Sequence, residues 1–270
     1  MDKALASPDH YAHCEALLRE RDRDLWLASL FAPPAPRKHI QAVYAYALEA
    51  ADVRPKVSQP LLGEMRLRWW ADALTHDGSG GARAHPVAGA LIDTVERFAL
   101  PREELIALAD AHVADLYDDQ MPDMAAFEAY CRATAAGPIR WAARILDAPD
   151  SPAFEDAGMA LGITRVLRRP SGALIPADVL ARHGAGHADA PALRAALAEL
   201  RDKAQRHYDA ARRAAAALSK GREALLAAAT VPLYLERMGG SDYSPSRGVA
   251  DPSPLRRQWR IWRASRGVGL

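Results

Sequence analysis

Residues that make covalent or metal cross-links are scarce in this chain. Only two cysteines occur, Cys14 and Cys131. They lie far apart, outside any CxxC or His/Cys cluster, which argues against structural zinc and a disulfide framework and for a reducing compartment. Both are expected as small buried apolar residues. Long apolar runs are missing as well. None approaches the roughly 18 to 20 residues that a membrane-spanning helix requires, and the opening MDKALASPDHYAHCE lacks the apolar region of a signal peptide. A cytoplasmic protein is therefore the expectation. Nor is there an excess of one charge: 35 Lys and Arg stand against 34 Asp and Glu. The whole-molecule field favours neither nucleic acid nor a strongly acidic partner, so any electrostatic function must be local. No P-loop, GxGxxG or Ser-His-Asp elbow occurs. The nine histidines form no ligand array, since Gly184, Ala185 and Gly186 separate His183 from His187 in a stretch that reads as an exposed loop.

β-branched runs are nearly absent too, while Ala, Arg and Leu abound, so the chain reads as all-α. Proline and glycine cut it into segments of helical length, at Pro33, Pro34 and Pro36, at Pro55 and Pro60, at Gly78 to Gly81, and at Pro101, Pro122 and Pro138. Between Leu61 and Leu74 the spacing of Leu62, Met65, Trp69 and Ala73 predicts an amphipathic helix with that stripe toward the core. Helical spacing recurs over Glu103 to Tyr117, Met124 to Thr134, Ile139 to Leu146 and Ala192 to Leu218. Pro170 to Pro176 and Gly239 to Pro254 resist a helical reading, and the second predicts a loop leading to a short basic C-terminal helix. No internal repeat or polar linker divides the chain, so residues 1–270 are expected to form one domain of about ten helices.

Three blocks carry a resemblance: Asp22 to Leu74, Tyr130 to Leu146 (YCRATAAGPIRWAARIL) and Ala160 to Gly184 (ALGITRVLRRPSGALIPADVLARHG). In this order they resemble the squalene and phytoene synthase family. The resemblance implies an isoprenoid synthase fold, with helices around a central cavity and two Asp-rich motifs facing each other. Carboxylates at i and i+4 share one helix face. In the family they hold Mg²⁺ against the diphosphate groups, so that the metal stabilises the leaving group as a carbocation forms.

This chain departs from the pattern at both motifs. In AYALEAADVRPKVS, matching from Tyr44 and Tyr46 puts Ala51 and Pro55 at the outer aspartates and leaves Asp52 between them. Pro55 also disfavours helical geometry at Arg54. In GMALGITRVLRRPSGALIP, Gly162 stands at the Gln, Arg165 at the Asn, and Arg169 and Ala173 at the two aspartates. Arg165, Arg168 and Arg169 make a basic cluster. Two unit charges a few Å apart interact by about 4 kcal/mol at an effective dielectric near 20, so a divalent cation would be repelled there.

These losses resemble one branch of the family, the assembly factors of respiratory complex I (NADH dehydrogenase) and their bacterial relatives, which share an acidic residue like Glu49, an MRLRWW-like element and a closing PLYL, here Val231 to Leu235. The resemblance implies a pseudoenzyme with no catalytic or metal-binding residues and no cofactor. Its expected partner is a complex I subunit or assembly intermediate, with lipid or peripheral contact at the inner membrane and no nucleic acid. Two alternatives stand beside it: an active head-to-head prenyltransferase with Mg²⁺, and an isoprenoid or lipid carrier.

Glu49, Asp52, Arg165, Arg168 and Arg169 are the candidate relic site, either paired with one another across the cavity or forming a metal-free anion site. Asp115 to Asp119 (DLYDD) has metal-ligand spacing but reads as a solvated acidic helix end before Pro122. The tryptophans Trp26, Trp69, Trp70 and Trp141 read as core. The C-terminal PLRRQWRIWRASRG places Arg256, Arg257, Arg260 and Arg263 with Trp259 and Trp262 on a short helix. It suits either an anionic membrane surface or a docked helix with snorkelling arginines.

Overall fold

The structure, a computed structural model, describes residues 6–76, 79–168, 172–184, 190–240 and 251–267. The first half contains α1 (Pro8–Arg21), α2 (Arg23–Ser29), α3 (Pro34–Ala51), α4 (Pro60–Thr75), α5 (Pro86–Phe98) and α6 (Arg102–Ala111). The second half contains α7 (Met124–Cys131), α8 (Gly137–Ile145), α9 (Pro152–Arg168), α10 (Ala177–Arg182), α11 (Ala190–Ala215), α12 (Arg222–Leu225), α13 (Val231–Met238) and α14 (Pro254–Ser265). No strand occurs among the described residues. Six of these helices open on proline. At the first helical position the missing N–H would have had no intrahelical partner, and the ring already holds a helical φ. Ser7, Asp123 and Ser253 cap their helices by accepting from the backbone N–H three residues on.

One apolar cluster runs from Tyr11 on α1 to Ala264 on α14. It includes Trp141, Phe127 and Tyr46, whose hydroxyl donates to the Leu105 carbonyl at 2.5 Å. Both cysteines are fully buried, and burial pushes the Cys14 thiol up to about 12. Trp70 and Trp141 are core, Trp26 is half-buried against the cluster, and Trp69 is exposed.

The helix predicted for Leu61 to Leu74 forms as α4, but it turns the other way. Leu62, Met65 and Trp69 are exposed, whereas Gly63, Leu67, Trp70 and Leu74 are buried, with Ala73 the one member of the expected stripe that is covered. α4 carries two apolar stripes. The buried one passes through Gly63, where a Cβ would lie 2.5 Å from Leu116 Cδ2, so the Leu116 side chain fills the space a side chain would occupy. A glycine contributes nothing to an apolar count, and that hid this stripe.

Three other predicted segments shift. Glu103 to Tyr117 divides into α6 and a 3₁₀ turn, His112–Leu116. Met124 to Thr134 and Ile139 to Leu146 are joined through a π-turn, Arg132–Ala136, in which the Gly137 N–H donates to the Arg132 carbonyl. Pro138 follows and has no N–H to continue the ordinary i to i−4 pattern. α9 crosses this turn closely. A Cβ on Gly158 would sit 2.2 Å from Ala136 Cα, and one on Gly162 would sit 3.0 Å from Cys131 Cβ. The longest helix, α11, packs along α9 on its other side. Of the predicted Gly239 to Pro254 loop, residues 241–250 lie outside the described residues, as does His187.

Candidate functional site

α3 stops at Ala51, and Arg54–Lys56 form a 3₁₀ turn. Ala47 and Ala51 on α3 and Arg54 and Pro55 on that turn share a cavity of about 650 Å³ with Gly162, Arg165 and Val166 on α9. The two helices predicted to carry the degenerate motifs therefore face one another across this space. Ala173 and Leu174 close one side, while His112, Ala114, Asp115, Tyr117, Asp118, Tyr130 and Thr134 form the rest of the wall. The glycine at 162 is set by the close approach of α9 to the π-turn, not by the cavity.

Asp115 is a structural member of this wall and not a solvated helix end. Its side chain is 17% exposed. Its Oδ1 accepts from the Tyr130 hydroxyl at 2.9 Å, and its Oδ2 lies 2.6 Å from His112 Nδ1. A carboxylate only accepts, so Nδ1 carries the hydrogen of that contact. Burial first, and then the Asp115 charge, holds the Tyr130 phenol well above its ordinary pKa, keeping it a protonated donor. The helical turn from His112 to Asp115, read with the Tyr130 block, was the sequence signal for this group. The acidic run around Asp115 masked it.

Arg169 lies outside the described residues; of the other four candidate residues, Arg165 alone lines the cavity. The described charges do not pair with one another across the space. Arg165 reaches Asp22 at 3.4 Å, and Arg168 reaches Asp251 at 2.8 Å while its guanidinium sits 4.1 Å from the centroid of the Tyr234 ring. Asp52 is held by Arg21 at 2.7 Å and Lys56 at 3.8 Å, and Glu49 by Lys56 at 3.5 Å. The reasons are helical phase and axial position. Glu49 and Asp52 sit away from the Ala47 and Ala51 edge of α3, and Arg168 lies about one turn further along α9 than Arg165, beside Tyr234 on α13. Glu49 instead borders a second, open groove of about 600 Å³ with Lys56, Leu62, Met65, Trp69 and His85.

The Mg²⁺ that the fold family implies does not fit the residues at the cavity. Ala51, Pro55 and Ala173 offer no side-chain oxygen, both Asp115 oxygens are engaged, and Arg165 places a cation on the same wall. That leaves Asp118 as the remaining carboxylate of the lining. Among the described residues no group of three His, Cys, Asp or Glu side chains is arranged to hold a metal.

Helices surrounding a cavity, with α3 and α9 facing one another across it, define the class. The squalene/phytoene synthase family model matches residues 18–263, and the chain belongs to that family. Its fold is that of the isoprenoid synthases. A dehydrosqualene synthase in complex with ligand superposes with a TM-score of 0.77 at 17% identity over 96% of each chain. The squalene synthase HpnC from Alicyclobacillus acidocaldarius gives 0.71 at 22% identity, over 84% of this chain and 92% of that one. Among curated relatives, "NADH dehydrogenase (ubiquinone) complex I, assembly factor 6" of Rattus norvegicus is 28% identical over 191 residues, 67% of this chain and 57% of that protein. Its Homo sapiens counterpart is 29% identical over 190 residues, 67% and 56% respectively. The chain thus spans a little over half the length of the curated relatives it matches.

Proposed function

We propose that this chain is a non-catalytic member of its family that assists assembly of respiratory complex I, holding a subunit or a lipid of the forming complex at the cytoplasmic face of the inner membrane. The observation that carries the reading is the cavity wall. Ala51, Pro55 and Ala173 stand where the family pattern has aspartates, and Arg165 adds positive charge beside them. A prenyl diphosphate could reach such a space, but the bridging metal that ionises it would have no carboxylate pair, and losing that electrostatic assistance raises the barrier by several kcal/mol. The curated relatives support the assembly role, since two mammalian proteins named complex I assembly factors match two thirds of this chain.

Two measurements test the reading together. Deleting the gene in its own organism should deplete assembled complex I on native gels, and the wild-type gene should restore it. Purified protein given farnesyl or geranylgeranyl diphosphate with Mg²⁺ should yield no squalene, presqualene diphosphate or phytoene. Metal-dependent turnover, or normal complex I in the deletion strain, overturns the proposal.

A further inference from the structure

α14 presents two apolar stripes on opposite sides. One is buried: Ile261 and Ala264 pack into the core. Two arginines tie this side down. Arg257 donates to Asp24 at 3.0 Å, and Arg260 donates to the Ala229 carbonyl at 3.1 Å and the Tyr208 hydroxyl at 2.7 Å. The helix is thus fixed to the body of the protein, and half of its basic residues are already used in holding it there.

The opposite stripe is exposed. Leu255, Trp259 and Trp262, at steps of four and three, are 77%, 58% and 41% exposed. The two indoles stack at 4.8 Å between centroids, and the Arg266 guanidinium lies 5.1 Å from the Trp262 ring centroid. Arg256, Arg263 and Arg266 surround them, all exposed. From Pro252 to Leu270 the sequence holds five arginines and no carboxylate. Among the described residues Glu236 reaches this face, 3.9 Å from Arg256 and itself well exposed.

We propose that this outward face of α14 docks on the surface of an anionic phospholipid bilayer. Indoles carry an apolar body and a polar N–H suited to the headgroup boundary, and guanidinium groups beside them meet lipid phosphates. With its other stripe locked in the core, α14 lies flat and inserts only Leu255, Trp259 and Trp262. An apolar protein partner would be served by the indoles but would leave three arginines facing it. The uniform positive charge selects the anionic membrane. This inference bears on the membrane-peripheral part of the proposed function, yet α14 alone carries it, so vesicle binding and complex I assembly fail independently.

The test is flotation of the full chain with vesicles of phosphatidylcholine, with and without phosphatidylglycerol, alongside tryptophan fluorescence. The wild type should float with the anionic vesicles, shift its emission to the blue and release as salt rises; it should not float with phosphatidylcholine alone. Each arginine near such a surface contributes roughly fivefold in partitioning, so R256Q/R263Q/R266Q should bind on the order of a hundredfold more weakly. W259S/W262S should lose the blue shift and most of the binding. Because these side chains are exposed, both variants should keep the wild-type melting temperature, which separates lost binding from lost folding. No flotation of the wild type, equal flotation with both vesicle types, or variants that bind like the wild type would overturn the proposal. So would a wild type that dimerises through this face, seen as a sedimentation coefficient that falls in W259S/W262S.

Discussion

Arg165 on α9 meets Asp22, at the junction of α1 and α2, at 3.4 Å across 143 residues of sequence. The contact gives the guanidinium, at the wall of the cavity, a carboxylate partner that is not itself among the lining residues. Asp22 thereby balances part of the Arg165 charge, and it does so without placing a carboxylate pair in the cavity lining. The same junction orients α2, because the Asp22 side chain caps that helix by accepting from the Leu25 N–H.

Metal affinity should be restorable at the cavity. Ala51→Asp, Pro55→Asp and Ala173→Asp together put carboxylates on three lining positions. The variant should gain thermal stability that grows with Mg²⁺ concentration, as expected when a ligand binds the folded state alone. Catalysis is not expected to return with it, because metal geometry tolerates little displacement. The wild type should show no Mg²⁺-dependent shift. An equal shift in the wild type that disappears in Asp115→Asn would locate the ligands at Asp115 and reverse the reading of the site.

The inverted phase of α4 gives opposite expectations for adjacent residues. Met65→Ser should change stability by no more than about 0.5 kcal/mol, as is usual at an exposed position. Leu67→Ala, fully buried two residues away, should cost about 2–5 kcal/mol. Urea unfolding of both variants decides the matter, and a large loss in Met65→Ser would mean that the groove wall is covered in solution.

Close approach of α9 to the π-turn makes Gly158 intolerant of even one methyl group. The added Cβ of Gly158→Ala would lie 2.2 Å from backbone at Ala136, and overpacking of this kind costs about 1–3 kcal/mol. An unchanged melting temperature would show that the two segments are further apart than described.

His39 should make the fold sensitive to acid. Its Nδ1 lies 3.1 Å from the Tyr11 hydroxyl and 2.9 Å from Thr94 Oγ1. Burial, reinforced by the Lys38 charge, lowers its pKa from 6.5 to about 4. The unfolded chain therefore takes up this proton at higher pH than the folded one. The contribution of His39 is complete above pH 6.5 and is lost progressively as pH falls toward about 4. Stability measured across that window should fall less steeply in His39→Gln than in the wild type; parallel slopes would remove His39 as a cause.

The residue order by itself determined the helical class, the points where helices begin and the family the chain belongs to. Prolines such as Pro34, Pro60 and Pro152 act through their own φ and missing N–H, which are local properties. The absence of a carboxylate at Ala51 and Pro55, and the arginine at 165, are equally visible in one dimension, because side-chain identity needs no structure to be read. Tertiary structure decided everything that depended on which neighbour arrives at a surface. α4 and α14 each carry two apolar stripes, and spacing cannot say which is buried. Leu116 fills the place beside Gly63 and so buries one stripe of α4. Asp24, Tyr208 and Ala229 take Arg257 and Arg260, leaving Trp259, Trp262 and the remaining arginines outward. Asp115 was likewise undecidable: a carboxylate in an acidic run becomes part of a cavity wall only when His112 and Tyr130 are brought within 3 Å of it.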